Sequence, residues 1–349
     1  MKLYPFSFKP VYIEKIWGGS KLKETFSRDI ISNNIGESWE VSVHPNGKSE
    51  IANGKLADEE LIYLIEKYPE KIIGEKYNND FPLLIKFLDV SKKLSVQVHP
   101  DDEYTKNLTH ESGKTEIWYI LAAKDDAEII YGLKNNTTRE EMKESIKKGS
   151  LEKHLNSVSV NKGDVIYIPS GTIHCIKGGV LLAEIQQSSD STYRVYDWNR
   201  TNSEGQSREL HIDRALDVIN YEQSLDDIKL APLVYDDEDY KRYFYAASPY
   251  FSLEKIDLAD SYNFNPQEKD RFNIIIVLDG KGELSYNGQS YDLLPGKTYF
   301  LPISLNEVQV KGDLEFLNTY IANSKDEVYD ELESLNFSKK EIESLAGFD

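Results

Sequence analysis

The sequence predicts a mainly β protein, a barrel or sandwich carrying short helical insertions. Short β-type runs recur at Glu40–Val43, Leu83–Leu88, Leu94–His99, Glu116–Ala122, Ala127–Tyr131, Asp164–Ile168 and Val180–Ile185. Many are bounded by Gly, Pro, Asn or Asp, the residues that turn a chain. Helical periodicity is confined to a few short stretches. The chain also repeats itself faintly: Gly163-Asp164-Val165-Ile166-Tyr167-Ile168-Pro169 parallels Gly296-Lys297-Thr298-Tyr299-Phe300-Leu301-Pro302. In both, a glycine turn enters a strand that ends at proline.

The helical stretches are few. Leu61, Leu64, Ile65 and Tyr68 recur at helical spacing after Asp58, and Thr138 with Glu141 forms a capping box ahead of Met142 and Ile146. Asp213–Asn220 reads as another short helix. Ser324 with Glu327, and Ser338 with Glu341, predict a helical pair over 324–346. Leu278-Asp279-Gly280-Lys281-Gly282-Glu283-Leu284 reads as a glycine hairpin between short antiparallel strands. Tyr221–Tyr240, with its acidic run Asp236–Asp239, reads as a connection, and Leu230–Val234 as an added edge strand.

Placing the repeats in register extends the parallel upstream, where Glu116–Leu121 matches Asn273–Leu278. The position of Glu116 becomes Asn273 and that of His174 becomes Glu307. Residues 240–322 contain no histidine. The expected division is a metal-binding domain with helical segments over 1–226, a second barrel without a metal site over 227–322, and a helical tail over 323–349.

The 349 residues carry a net charge of −19. A phosphate backbone attracts basic surfaces, so nucleic acid is not the expected partner. A small phosphorylated ligand is compatible, since it needs only a few cations in one pocket. The one cysteine, Cys175, excludes an internal disulfide framework and fits a reducing compartment. No signal peptide is recognisable, and no run of about 18 apolar residues predicts a membrane span. A cytoplasmic protein, monomeric or weakly dimeric, is expected.

Three segments carry metal-type ligands. In Leu94–Pro100, alternation puts Gln97 and His99 on one strand face and Val96 and Val98 on the other. Glu116 opens the run Glu116–Leu121, where a carboxylate is costly unless it binds a metal or pairs with a cation such as Lys114, two residues away on the same face. Ile168-Pro169-Ser170-Gly171-Thr172-Ile173-His174 is a strand end, a turn and a histidine. Two imidazoles, a carboxylate and an amide suit one divalent ion with open positions. Gln97 is the weakest of the four, since an amide is a poor ligand. Cys175 faces away from its neighbour and reads as core. Glu184 interrupts an apolar strand. Arg194, flanked by Tyr193 and the nearby Tyr196, also reads as a surface arginine packed on aromatics. Trp17-Gly18-Gly19 also reads as a plain turn. His110, His154 and His211 read as surface or structural histidines.

Taken together, Gln-Val-His-Pro-Asp-Asp (97–102), Gly-Lys-Thr-Glu-Ile-Trp-Tyr (113–119), Pro-Ser-Gly-Thr-Ile-His (169–174) and Tyr-Arg-Val-Tyr-Asp-Trp-Asn-Arg (193–200) resemble the type I mannose-6-phosphate isomerases, in their short bacterial form. Trp17-Gly18-Gly19, Gly36-Glu37-Ser38-Trp39-Glu40 and Pro82-Leu83-Leu84-Ile85-Lys86 resemble that family too. The specific motifs run to about residue 215. The resemblance implies cupin-like jelly-roll barrels and an isomerase with one zinc ion per chain, interconverting mannose 6-phosphate and fructose 6-phosphate. It implies His99, Glu116, His174 and Gln97 as metal ligands, Arg194, Lys114 and Glu184 as catalytic residues, and Trp17 as a substrate-pocket residue. The chain lacks the long forms' large helical insertion between the glutamate and the second histidine, where only Thr137–Leu155 stands.

The chemistry so implied moves a hydrogen between C1 and C2 of an open-chain sugar through a metal-stabilised enediolate. Lys114, its pKa lowered by a nearby cation and desolvation, and Glu184 compete as the base. Arg194 would stabilise enediolate oxygens or hold phosphate. Two rival classes remain at this stage. Two histidines and a carboxylate also make the site of non-haem iron oxygenases, and a two-barrel chain with a sugar pocket also suits a non-catalytic regulator.

Overall fold

The computed structural model describes residues 2–106, 111–134, 136–201 and 205–348; His110 lies outside them. By contacts the chain forms two units. The first comprises Tyr12–Ser38 and Lys86–Lys229; the second comprises Met1–Val11, Trp39–Ile85 and Leu230–Asp349. Residues 39–85 thus group with the C-terminal half, across the linear division drawn at 226/227.

The expected strands are present, and they are mostly β-branched or aromatic runs whose inward faces are buried. A six-stranded sheet has the spatial order Val11–Gly19, Ile35–Val41, Leu83–Val90, Val180–Gln187, Glu116–Ala123, Val165–Ile168. A five-stranded sheet has the order Tyr193–Tyr196, Val96–Val98, His174–Ile176, Glu128–Leu133, Leu155–Ser159. A core including Trp118, Val96, Val98, Ile129, Ile168, Cys175 and Leu182 fills the first unit. Cys175 is fully buried, and burial pushes its thiol up to about 12.

In the second unit the strands Leu233–Asp236, Tyr240–Ala247, Ser252–Leu258, Val308–Tyr320, Asn273–Tyr286 and Thr298–Leu301 follow one another in space. That is the order of the six-stranded sheet, strand for strand. The register agrees as well: Glu116 lies opposite Ile168, one residue before Pro169, and Asn273 lies opposite Leu301, one residue before Pro302. The faint sequence repeat is therefore a duplicated topology.

Two turn expectations are corrected. Residues 278–284 do not turn; they lie inside the strand Asn273–Tyr286, with a bulge between Val277 and Asp279. Their glycines serve close approach, because a Cβ on Gly282 would fall 2.4 Å from the Lys311 carbonyl oxygen. The hairpin turn comes later, at Asn287-Gly288, both at positive φ, the pair a two-residue turn prefers. Trp17-Gly18-Gly19 is a strand end, not a turn. There a Cβ on Gly18 would meet the Asn34 carbonyl oxygen at 2.3 Å.

The helices fall where the caps place them. Thr138 and Glu141 complete a capping box on Arg139–Lys147, and Ser338 and Glu341 complete one on Lys339–Ile342. On Lys325–Ser334 the Ser324 hydroxyl accepts from Glu327 N–H, but the Glu327 carboxylate bonds the Asn323 N–H instead of closing the box. Leu61, Leu64 and Ile65 are buried on Leu61–Lys67.

Candidate functional site

The site of the first unit is built from the inner faces of its two sheets. On the smaller one, Gln97 stands directly opposite His174 on one side and Arg194 on the other. Residues opposed across antiparallel strands share a face, so amide, imidazole and guanidinium form one row. His99 follows Gln97 at the strand's end. On the larger sheet, Glu116 and Trp118 share a face two residues apart, and Glu184 lies opposite Trp118.

These rows bring His99, Glu116 and His174 together. Their ligand atoms all lie within 4.8 Å of one another. His99 Nε2 is 3.5 Å from Glu116 Oε2, and His174 Nε2 is 3.4 Å from Glu116 Oε1. All three side chains are buried. Among the described residues this is the one such group, so the position of Glu307 in the second unit carries no counterpart.

The donor set fits a metal ion on its own evidence. His99 Nδ1 is 2.8 Å from the Ser191 carbonyl oxygen, and His174 Nδ1 is 2.9 Å from that of Thr172. Each carbonyl requires an N–H at Nδ1, which leaves both Nε2 atoms unprotonated, His99's also 3.2 Å from Lys114 Nζ. Burial, more than any neighbouring charge, holds His174 down to about 4 and His99 well below the ordinary histidine range. Both imidazoles are thus neutral at pH 7, as ligands must be. Both Glu116 oxygens are buried, and Oε1 has no hydrogen-bond partner among the described residues. Its charge is met by Lys114 Nζ at 2.7 Å. Gln97 Nε2 lies 3.1 Å from His174 Nε2, and turning the amide over presents its oxygen instead.

Above the cluster opens a cleft of about 260 Å3. Trp17, Gln97, Lys114, Glu184 and Arg194 all line it, so every residue expected there arrives. Trp118 Nε1 donates to Glu184 Oε2 at 2.9 Å, fixing that carboxylate. Burial first, then the charge of Glu116, raises the Glu184 pKa. Lys114 departs from the expectation of a lowered pKa: burial pulls it down, but Glu116 and Glu184 outweigh that and raise it. Arg194 is half-buried, not a surface residue. Its backbone N–H donates to His211 Nδ1 and its Nη1 to the Glu209 carbonyl oxygen, which gives His211 its structural role.

Five charged residues of the cleft were not singled out from sequence. Lys15, Lys86 and Arg208 add cations, and Glu37 and Asp190 add carboxylates. With Lys114, Arg194 and Glu184, the lining holds five cations against three carboxylates, a positive pocket on an acidic chain. Lys86 carried a legible signal, since it interrupts the otherwise apolar run Leu83–Leu88 as Glu184 interrupts its own strand. It lies 3.8 Å from Glu184 and 3.9 Å from Glu37. Arg208 had no such signal. It is placed by Asp197, whose carboxylate accepts from Arg208 Nε at 2.8 Å and also from Arg200.

A duplicated β topology with a buried His/Glu/His group beneath a cationic cleft defines a cupin enzyme acting on a small anionic substrate. Residues 6–119 match the family model "Phosphomannose isomerase type I, catalytic domain", and residues 241–321 match "Mannose-6-phosphate isomerase, cupin domain". A mannose-6-phosphate isomerase of Bacillus subtilis is 38% identical over 332 residues, 92% of this chain and 100% of that one. One from Streptococcus mutans is 36% identical over 307 residues, 88% and 95% of the two chains. The crystal structure of the mannose 6-phosphate isomerase from Bacillus subtilis aligns with a TM-score of 0.85 at 36% identity, covering 91% of this chain and all of that one. A variant of the Salmonella typhimurium phosphomannose isomerase shares the fold at 16% identity, with a TM-score of 0.73 over 91% of this chain and 99% of its own. The chain belongs to the type I mannose-6-phosphate isomerase family, and is an aldose–ketose isomerase.

Proposed function

We propose that this isomerase works with one zinc ion, held by His99, Glu116 and His174 with Gln97 as a fourth, weaker donor. The observation that carries this is the buried group itself, with the Nε2 atoms of two neutral imidazoles 3.5 and 3.4 Å from the two oxygens of one buried carboxylate. Two histidines and a glutamate are a set that zinc accepts with a position left for substrate. When bound, the ion supplies a Lewis acid for the oxygens at C1 and C2.

The chain's own groups do the rest. Glu184 takes the proton from one carbon and returns it to the other. Burial raises its pKa and so makes the carboxylate a stronger proton acceptor, and Trp118 holds one oxygen so that the carboxylate does not swing. Lys114 stays charged and meets the negative charge that develops on the enediolate oxygens. Arg194 faces the same space from the opposite sheet and adds a second positive group. Trp17, almost wholly buried at the cleft wall, shapes the sugar subsite. Arg208, oriented by Asp197, and Lys15 supply the charge a phosphate requires.

Catalysis is assigned to the first unit and a non-catalytic part to the barrel of residues 227–322, with 323–349 as its helical tail. A cytoplasmic setting and a monomeric or weakly dimeric state belong to the same reading.

The test is turnover of mannose 6-phosphate, read by a coupled assay for fructose 6-phosphate, before and after complete chelation. Loss on chelation and recovery with zinc are expected. Undiminished turnover in protein shown to be metal-free would remove the metal from the reaction.

A further inference from the structure

The duplicated topology points to a place in the second unit where a second pocket should be sought. In the first unit, Lys114 and Glu184 line the cleft and Glu116 is paired with Lys114, with Glu184 opposite the residue two after Glu116. In the second, Asn273 takes the place of Glu116, Arg271 that of Lys114, and Asn318, opposite Ile275, that of Glu184. A cavity of about 220 Å3 opens there, bordered by Arg271, Asn273, Asn318, Tyr262 and Asn265. Glu331 and Ser334, from the helix Lys325–Ser334, also border it. The pocket has been kept while its carboxylate pair has become an amide pair.

The replaced residues define what the cavity accepts. A metal is disfavoured, since amides are poor ligands and no imidazole is near. An anion is disfavoured too, because the cations are already matched. Arg242 binds Glu254 at 3.0 Å and Glu331 at 2.8 Å. Arg271 binds Glu327 at 2.8 Å and Glu331 at 3.3 Å, and Lys269 lies 3.6 Å from Glu331. An apolar guest would strand the polar groups. Asn273 Nδ2 donates to Asn318 Oδ1 at 3.0 Å. This leaves the Asn273 amide oxygen and three amide N–H groups of the pair for an outside partner. Arg271 Nε is buried without a hydrogen-bond partner among the described residues, and Tyr262 adds an aromatic wall. Paired donors and acceptors beside an aromatic ring, in a charge-balanced cavity, match the adjacent hydroxyls and C–H faces of a polyol.

We propose that this cavity is a second ligand site, taking an uncharged polyhydroxyl compound, a hexose or hexitol without phosphate. Its volume is slightly below that of the cleft of the first unit, and only this size comparison rests on the isomerase reading.

The probe is D-mannitol, which lacks both carbonyl and phosphate, titrated calorimetrically into the full chain. Saturable binding is expected in the wild type and in Glu184→Gln, whose altered residue lies in the other pocket. Asn318→Leu should weaken binding about tenfold, the equivalent of one or two hydrogen bonds, with mannose 6-phosphate turnover unchanged as proof of folding. If Asn318→Leu does not fold, Asn265→Ala at the half-buried rim should weaken binding in its place. Absence of saturable binding overturns the proposal. So does binding lost in Glu184→Gln but intact in Asn318→Leu, which would place mannitol in the first cleft, or displacement by inorganic phosphate. The binding readouts do not depend on whether the chain needs zinc.

Discussion

His99, Glu116 and His174 act as one object, since each holds the others' ligand atoms within reach. Removing one imidazole leaves two of the three strong donors, and affinity for a divalent ion falls steeply. His174→Ala and His99→Ala should therefore lose metal and turnover together, read by metal analysis alongside the coupled assay. Full activity with stoichiometric metal in either variant would remove the cluster from the site. Arg194→Ala is the complementary case. Its guanidinium faces the cleft but touches none of the three ligands, so metal should stay bound while kcat falls on the order of a hundredfold. A rise in KM alone would make it a binding residue. At this scale the sequence exposes residues that break a local pattern: Gln97 and His99 on one strand face, Glu116 and Glu184 in apolar runs. Arg208 breaks no pattern, and its partner Asp197 is eleven positions away along a loop, so only folding reveals it.

The secondary elements rest on caps, alternation and tight backbone approaches. Thr138→Ala removes the hydroxyl that accepts from Glu141 N–H and should cost about 1 kcal/mol in urea denaturation. Gly312→Ala should cost more than about 2 kcal/mol, because Gly312 sits at φ 141° and a Cβ there would lie 2.5 Å from the Lys281 carbonyl oxygen. An equal or smaller loss than at Thr138 would show that the paired strands relax cheaply. The segment 278–284 shows the limit of local rules. Glycines spaced for a hairpin serve equally where two backbones press together, and the spacing alone does not say which. The true turn, Asn287-Gly288, carried the stronger hairpin signal.

Across the molecule, a buried ionic network ties the helix Lys325–Ser334 to the second barrel. Burial acts to raise the Glu331 pKa, but Arg271, Arg242 and Lys269 outweigh it and lower it from 4.5 to about 2. A carboxylate with a depressed folded-state pKa contributes stability in full above its unfolded value. That contribution, roughly 3 kcal/mol, should disappear as pH falls from 4.5 towards 2. The melting temperature should drop through that window, and Glu331→Gln should flatten the drop. A variant with the wild-type slope would mean that other carboxylates govern the acid transition.

The sequence by itself determined the β character, the helix starts, the metal-type triad and the relation between the halves. Each is written in spacing over a few residues, or in short motifs that stay intact wherever the chain goes. Tertiary structure alone decided which strands became neighbours, and so which distant side chains share a cleft. Strand pairing between residues tens of positions apart put Arg194 beside Gln97 and Asn318 beside Asn273. It also turned a missing metal set into a retained pocket, because cavities arise between sheets and no single segment encodes them.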